Sequence, residues 1–407
     1  MKTSLRRLLG LCLAVIMLLS FAGCGSTAET QQTTAAPTEA PAETTAVTEA
    51  PAVADKNDLT VVSSMELQYA NNFSVDYCAN GCKIITDGSG RTFLWVPEGN
   101  ELPDDTGDMI VLQAPLNKLG CFSTTHATLF NAIDALDKVT MVTTAQEKWH
   151  IPQIAQQIAD GTTIYVGKNS APDYELISDA APQVIIISAN TMHGSEEVLS
   201  KLDELNIAYI ADSQHLENHP LGRVEWVKLV GALLDMEDEA NAYFDDAVTR
   251  VDEVAASVAG QSEHPSIIQT YIYKGVVYVR NGASYVNKML ELAGGIYPFA
   301  DLNPEDSGNT KMTIEEFYAT TVDTDILIYD NTSDTSVSSV ADILAYGDYL
   351  GDMKAIQEGN VWGIQKNYWQ SADDVATMIE DIATIIYYPE EAENLHYFYK
   401  LPAEAAE

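Results

Sequence analysis

The chain reads as an α/β protein built from two mainly parallel lobes joined by one long helix. Three observations predict this. Short apolar runs of strand composition alternate with segments of helical spacing, the order of a parallel sheet covered on both faces. The alternation halts at a helical block over residues 220–258 and then resumes. The chain has 407 residues, 46% of them hydrophobic, which gives two lobes their cores.

The elements follow in order. Lys83–Asp87 and Arg91–Val96 flank Gly88-Ser89-Gly90, a hairpin signal, and Met109–Gln113 is another apolar strand. Leu129, Ile133 and Leu136 have helical spacing. Strands are expected at Thr163–Val166, Gln183–Ser188 and Ala208–Ala211, with helices from Asp173 and Glu196 between them. Pro220 suits a first helical turn, and Asp235 is expected to cap the next helix. Apolar residues from Ala240 to Val258 recur at steps of three and four, so Glu237–Val258 is one helix long enough to bridge two lobes. Beyond it lie strands at Ser266–Tyr273, Val276–Arg280, Asp325–Tyr329 and Val361–Ile364. Helices are expected at Tyr285–Ala293, Thr313–Thr320, Ala341–Tyr349, Met353–Glu358 and Ala372–Tyr387.

The N-terminus has a different character. Lys2, Arg6 and Arg7 precede the apolar stretch Leu8–Phe21, which is too short to span a hydrocarbon core of ~30 Å and so reads as an export signal. Phe21-Ala22-Gly23-Cys24 resembles the lipobox of bacterial lipoproteins, with Phe21 where Leu is usual. That resemblance implies cleavage after residue 23 and acylation of Cys24; a plain secretory signal is the alternative. Gly25–Asn57 is rich in Thr, Ala, Pro and Glu, with Thr38-Glu39-Ala40-Pro41 repeated at Thr48–Pro51. Such a segment cannot offset its ordering entropy and serves as a tether. The expected division is therefore signal 1–23, tether 24–57, N-terminal lobe 58–235, connecting helix 236–260 and C-terminal lobe 261–407.

The 21 Lys and Arg against 60 Asp and Glu give a net charge of -39, which repels phosphate backbones and argues against nucleic-acid binding. Cys78, Cys82 and Cys121 remain after the signal and lipidation site; a local Cys78–Cys82 disulfide and free thiols are both open. No nucleophile elbow, zinc-protease helix or phosphate loop is present, and no ligand spacing points to a metal or cofactor. His215 and His219 are four apart, but His219 precedes Pro220, which favours a loop over a metal-binding helix face.

Several stretches together resemble the substrate-binding lipoproteins of ABC importers for iron complexes and cobalamin. Lys83–Arg91 looks like that family's N-terminal hairpin. Ala181-Pro182-Gln183-Val184-Ile185-Ile186 resembles one of its strands, Leu292-Ala293-Gly294-Gly295 one of its C-lobe motifs, and Tyr387-Tyr388-Pro389-Glu390 its closing segment. The similarity covers about residues 83–390; residues 59–82 have no counterpart and Glu98–Asp108 looks inserted. The resemblance implies the helical-backbone periplasmic-binding-protein fold, a monomer, and capture of a ferric siderophore, corrinoid or haem between the lobes. It implies no enzymatic activity and no cofactor; delivery is to an ABC permease, with the membrane reached through the lipid alone. Docking in that family uses one glutamate per lobe against permease arginines, and Glu196 and Glu315 fit those positions, with Glu197 and Glu316 as next-door alternatives.

Open α/β sheets place ligands at strand ends. In the N-terminal lobe this selects Thr124 and Thr125, beside Ser123 and His126, then Trp149 with His150, and Lys168 with Asn169. In the C-terminal lobe it selects Tyr271, Lys274, Arg280, Tyr285 and Trp369, beside Tyr273 and Tyr368. Aromatic faces suit flat ligands and basic residues suit anionic chelates. A lipoprotein enzyme, or a sensory receptor without a permease, is the competing expectation on the same scaffold.

Overall fold

A computed structural model describes residues 55–188 and 195–405; the export signal, Cys24 and the tether up to residue 54 lie outside the described residues. The first sheet holds β1 (Val61–Ser64), β2 (Ser74–Cys78), β3 (Lys83–Thr86), β4 (Thr92–Val96) and β5 (Ile110–Gln113) in chain order. Its pairs are antiparallel except β4 with β5. Residues 59–82 thus extend the expected hairpin by two strands. Lys56 and Asn57 bond Asp104 in the long β4–β5 connection.

The hairpin turn is locked from within. Asp87 accepts from the N–H groups of Ser89 and Arg91, and its second oxygen accepts from Ala211 N at 2.8 Å. Gly88 is required there, because a Cβ would come within 2.2 Å of the Ser213 hydroxyl.

The N-terminal lobe then builds β6 (Leu119–Cys121), α1 (Thr124–Asn131), β7 (Val139–Val142), α2 (Pro152–Asp160) and β8 (Ile164–Tyr165). A ribbon of β9 (Gly167–Lys168) and β10 (Ala171–Pro172) leads to α3 (Tyr174–Ala180), β11 (Val184–Ser188), α4 (Ser195–Glu204) and β12 (Tyr209–Asp212). The five-stranded order is β12-β11-β6-β7-β8, every pair parallel. Both faces are covered: Val184 and Ile186 join the main core while Ile185 and Ile187 join a second one with Val198 and Leu202. That is the period of two expected along a strand.

Next come α5 (Pro220–Glu225), α6 (Val227–Leu234) and α7 (Glu237–Val258). Asp235 does not cap α7. It ends α6 at φ +60°, a left-handed position Asp tolerates, and its carboxylate bonds the Lys83 ammonium at 3.0 Å; Met236 precedes α7 without a side-chain cap. Ala240, Phe244, Ala247, Val251 and Val258 form the buried stripe of α7.

The C-terminal lobe holds β13 (Ile267–Tyr273), β14 (Val276–Arg280), α8 (Tyr285–Leu292), β15 (Asn309–Met312), α9 (Ile314–Thr321) and β16 (Ile326–Tyr329). It closes with α10 (Val340–Leu344), α11 (Lys354–Gln357), β17 (Val361–Ile364), α12 (Val375–Tyr387) and β18 (Phe398–Lys400). Its sheet runs β15-β14-β13-β16-β17-β18, with β13, β16 and β17 parallel and the outer strands antiparallel. Arg250 clamps α7 to α12 through a two-pronged bond to Glu380, at 2.9 and 2.8 Å. Helix α7 is therefore tied to α12 at Arg250.

Residues 66–72 are strapped to α5. Glu225, fully buried, accepts from the N–H groups of Gln68, Tyr69 and Ala70 and from the Lys228 ammonium. Glu217 does the same for Asn71 and Asn72 and takes the Trp226 indole N–H. Cys78, Cys82 and Cys121 are buried free thiols, and burial raises the pKa of each.

Candidate cleft site

The carboxyl ends of β13, β16 and β17 point to one end of their sheet, and the loops that follow carry the aromatic side chains of a candidate site. On β13 and β14 the register opposes Tyr271 to Tyr278, and their rings stack with centroids 4.9 Å apart. Arg280, two residues on and therefore on the same face, sets its guanidinium carbon 5.7 Å from the Trp369 ring.

Trp369 sits in a short 3-10 turn, Tyr368–Gln370, after β17. Its indole N–H donates to the Thr332 hydroxyl at 2.8 Å, and Thr332 is held by Asp330 just past β16. Tyr368 packs edge-on to Trp369 with centroids 4.8 Å apart and is buried, which keeps its hydroxyl protonated. Its hydroxyl faces Gln269 Oε1 at 3.5 Å, while Gln269 Nε2 has no partner among the described residues. Tyr285 starts α8 behind the Ser284 cap, and the Arg223 guanidinium lies 4.1 Å above its ring.

The facing wall comes from the N-terminal lobe. Ser123 caps α1 and accepts from Thr125 N at 3.3 Å, leaving Thr124 and Thr125 half-buried in the first turn. Helix α1 lies against the turn Tyr368–Gln370. The lobes are also bonded directly: Gln370 Oε1 accepts from His150 N at 2.8 Å, and Gln370 Nε2 donates to Lys148 O at 2.7 Å.

The expected residues divide accordingly. Tyr271, Arg280, Tyr285 and Trp369 come together, with Thr124 and Thr125 near the same turn. Trp149 does not share that surface: it is 8% exposed, its indole N–H donates to Thr144 O, and its ring belongs to the core. Lys168 is exposed on the β9–β10 ribbon. Lys274 is at the tip of the β13–β14 hairpin at φ +52°, its ammonium 5.0 Å from the Tyr273 ring. Sequence reasoning missed Arg223, Gln269, Tyr278 and Gln370. A lone arginine in the apolar helix Pro220–Glu225 of so acidic a chain was the available signal for the first.

His126, Ser188 and Asp212 invite comparison with a hydrolytic triad, and the geometry rejects it. Ser188 Oγ at 3.2 Å and Asp212 Oδ1 at 3.9 Å both face His126 Nε2, whereas a triad puts the carboxylate on Nδ1. The ring is completely buried, and desolvation lowers its pKa. His219 is likewise structural. It caps α5 by accepting from Leu221 N, stacks on Tyr69 at 4.4 Å, and burial holds its pKa down to about 4. Among the described residues no group of three or more His, Cys, Asp and Glu is placed to hold a metal ion, and no helix is long and apolar enough to cross a membrane.

Two exposed acidic pairs head helices on the two lobes. Glu196 and Glu197 lie in the first turn of α4, Glu315 and Glu316 in that of α9. Glu316 is engaged in a capping box with Thr313, taking its N–H at 2.9 Å and hydroxyl at 3.0 Å, and those bonds lower its pKa. Glu315 stands exposed beside the Tyr349 hydroxyl.

Residues 121–368 match the family described as periplasmic binding protein. An uncharacterized lipoprotein of Methanocaldococcus jannaschii is 29% identical over 371 residues, covering 83% of this chain and 86% of the relative. Among solved structures, a periplasmic heme binding protein from Pseudomonas aeruginosa superimposes with a TM-score of 0.55 at 14% identity, covering 71% of this chain and 99% of that one. The petrobactin-binding protein YclQ from Bacillus subtilis superimposes with a TM-score of 0.53 at 15% identity, covering 67% and 92%. At such identities the structures speak for the fold, and the match over residues 121–368 for the family. With two α/β lobes on either side of α7 and a match spanning residues 121–368, this chain belongs to the periplasmic binding protein family.

Proposed function

We propose that this chain is a lipid-anchored extracytoplasmic receptor that captures an iron complex, of ferric siderophore or haem type, between its lobes and delivers it to an ABC permease. One observation carries the reading: Tyr271, Arg280, Tyr285 and Trp369 converge at the carboxyl ends of the C-lobe strands, where the turn bearing Trp369 packs against helix α1. A surface of rings with a cation at its edge suits a flat or aromatic chelate of negative charge. Thr124 and Thr125 supply hydroxyls opposite. Lys274, at the hairpin tip, and Lys168, on its ribbon, add positive charge nearer the rim, and Trp149 acts through the shape of the loop that carries Lys148 and His150.

Cys24 carries the anchor in this reading, supported by the lipobox-like Phe21–Cys24 and by the lipoprotein name of the archaeal relative. Docking falls to Glu196 and Glu315. The capping box that occupies Glu316 favours Glu315, exposed beside the Tyr349 hydroxyl, as the docking carboxylate of its helix.

The test is a tryptophan-fluorescence titration of the full chain in detergent against haemin, a ferric catecholate, a ferric hydroxamate and cyanocobalamin. Trp369 is half-buried at the cleft, whereas Trp95, Trp149, Trp226 and Trp362 are buried, so contact quenching by a cleft ligand is greatest at Trp369 and should fall in W369F. Saturable quenching at micromolar concentration or below by one iron complex is the expected result. Flat curves for all four would remove the iron and corrinoid assignment.

A further inference from the structure

Among the described residues the two buried lysines each have a carboxylate of their own, and so does the half-buried Arg250. Lys83 is paired with Asp235 and Glu237, Lys228 with Glu225, and half-buried Arg250 with Glu380 and Asp374. Arg223 is the exception. It is 7% exposed, its Nε has no hydrogen-bond partner, and among the described residues no carboxylate lies within ion-pair distance of it. Its guanidinium lies on the face of Tyr285, at 4.1 Å from ring centroid to guanidinium carbon.

A guanidinium laid on a ring still holds its N–H donors in its own plane, where a carboxylate can take two at once. Leaving such a group desolvated without an acceptor is unfavourable, so the missing partner is informative. Arg223 opens onto a recess lined also by Tyr285, Tyr368, Trp369, Ala372 and Met378, with a cavity volume of about 10 Å³. That is room for one water-sized group, such as a single carboxylate oxygen reaching the guanidinium, and not for a whole chelate. Tyr368 connects this recess to Gln269, whose Nε2 is a second buried donor without an acceptor.

We infer that Arg223 is a buried anion seat, taking a carboxylate-type arm of the transported ligand while the ligand's body rests against Trp369 and Arg280. The inference rests on the cleft reading above and deepens it: the cargo bears at least one planar anionic group, and Arg223 selects it over neutral chelates and amide-rimmed corrinoids. The residue lies on α5, outside the strand-end loops that form the rest of the cleft.

The experiment uses the full chain labelled with 15N-arginine, and its R223M, R223K, R280M and W369F variants. Haemin and ferric citrate serve as carboxylate-bearing probes, cyanocobalamin and a neutral ferric trihydroxamate as uncharged ones. Expected is tightest binding of a carboxylate-bearing probe, weakened about 10- to 100-fold in R223M, the range of lost charge-assisted hydrogen bonds. R223K should fall between, since it keeps the charge and loses the fork. The Arg223 Nε–H resonance of the wild-type chain should shift saturably with citrate alone, which reads the seat without any variant. A neutral probe binding tightest overturns the seat. So does unchanged affinity in R223M when R280M and W369F abolish binding, an outcome that leaves the cleft reading intact. Unchanged affinity in R223M, R280M and W369F alike overturns both. No binding by any probe together with an unmoved Arg223 resonance in citrate also overturns the seat.

Discussion

The Gln370 side-chain oxygen accepts a hydrogen bond from the His150 backbone N–H across the two lobes, while its amide nitrogen donates to Lys148 O. One amide thus reads both ends of a three-residue stretch whose middle residue, Trp149, is anchored inward. This is a latch between a C-lobe turn and an N-lobe loop.

Replacing Gln370 with Ala removes both bonds. At about 1 kcal/mol each before allowance for exposure, the loss weakens ligand binding by up to about tenfold and raises the open population. Small-angle scattering of the free variant should show a slight rise in radius of gyration. Because α7 is clamped to α12 by Arg250, that rise stays small; a large increase would contradict the fastened helix.

Glu225 is the second target. E225A leaves three backbone N–H groups and the Lys228 ammonium without their acceptor, and breaking such a buried pair costs about 3–5 kcal/mol. E225Q/K228M, which removes the charges together, should recover part of the loss. Denaturant melts of the three chains give the ordering, and equal stability of E225A and wild type would exclude the strap as a stabilising element.

Asp373 predicts a pH dependence. Burial first, then its neighbour Asp374, push its pKa up to about 7 from an ordinary value near 3.8, against the Tyr243 hydroxyl that hydrogen-bonds it. A carboxyl whose folded pKa is raised stabilises the fold while protonated. Its contribution is complete below the unfolded pKa and is lost as pH rises through about 7. D373N should therefore lose less stability than wild type between pH 4 and 8, measured by melts across that range. Parallel curves would refute the assignment.

Docking is testable by charge reversal. E196R/E315R should abolish transport by the cognate permease while leaving fluorescence titrations unchanged. E316A should instead lower the melting temperature through its capping box and leave transport intact. Transport that survives the double reversal would favour a receptor working without a permease.

Much of this was legible in the chain. The steps of three and four from Ala240 to Val258 reappear as the buried face of α7, and the apolar runs Val184–Ser188 and Ile326–Tyr329 as covered parallel strands. The short elements were not. β6 spans three residues and β7 four, too few for a period to show, and β1 is exposed throughout. Asp235 was misread because Asp serves equally as a helix cap and as a left-handed residue, and a distant Lys83 decides between them. In the cleft, strand-end position was enough to find Arg280 and Trp369. It could not tell that Trp149 turns inward, since a loop has no regular period of facing. Arg223 escaped because its meaning lies in a partner it lacks, which only three-dimensional neighbours reveal.

The strap of residues 66–72 has a consequence for where this chain can be cut. The family match begins at residue 121, so trimming to that boundary would look harmless. It would strip Glu217 and Glu225 of the backbone groups they hold and leave α5, with Arg223 on it, resting on two stranded buried acids. The same bonds impose an order on folding. The strap is synthesised about 150 residues ahead of the carboxylates that fasten it, and must stay uncommitted until they follow. The first segment of the body to emerge is among the last to find its place.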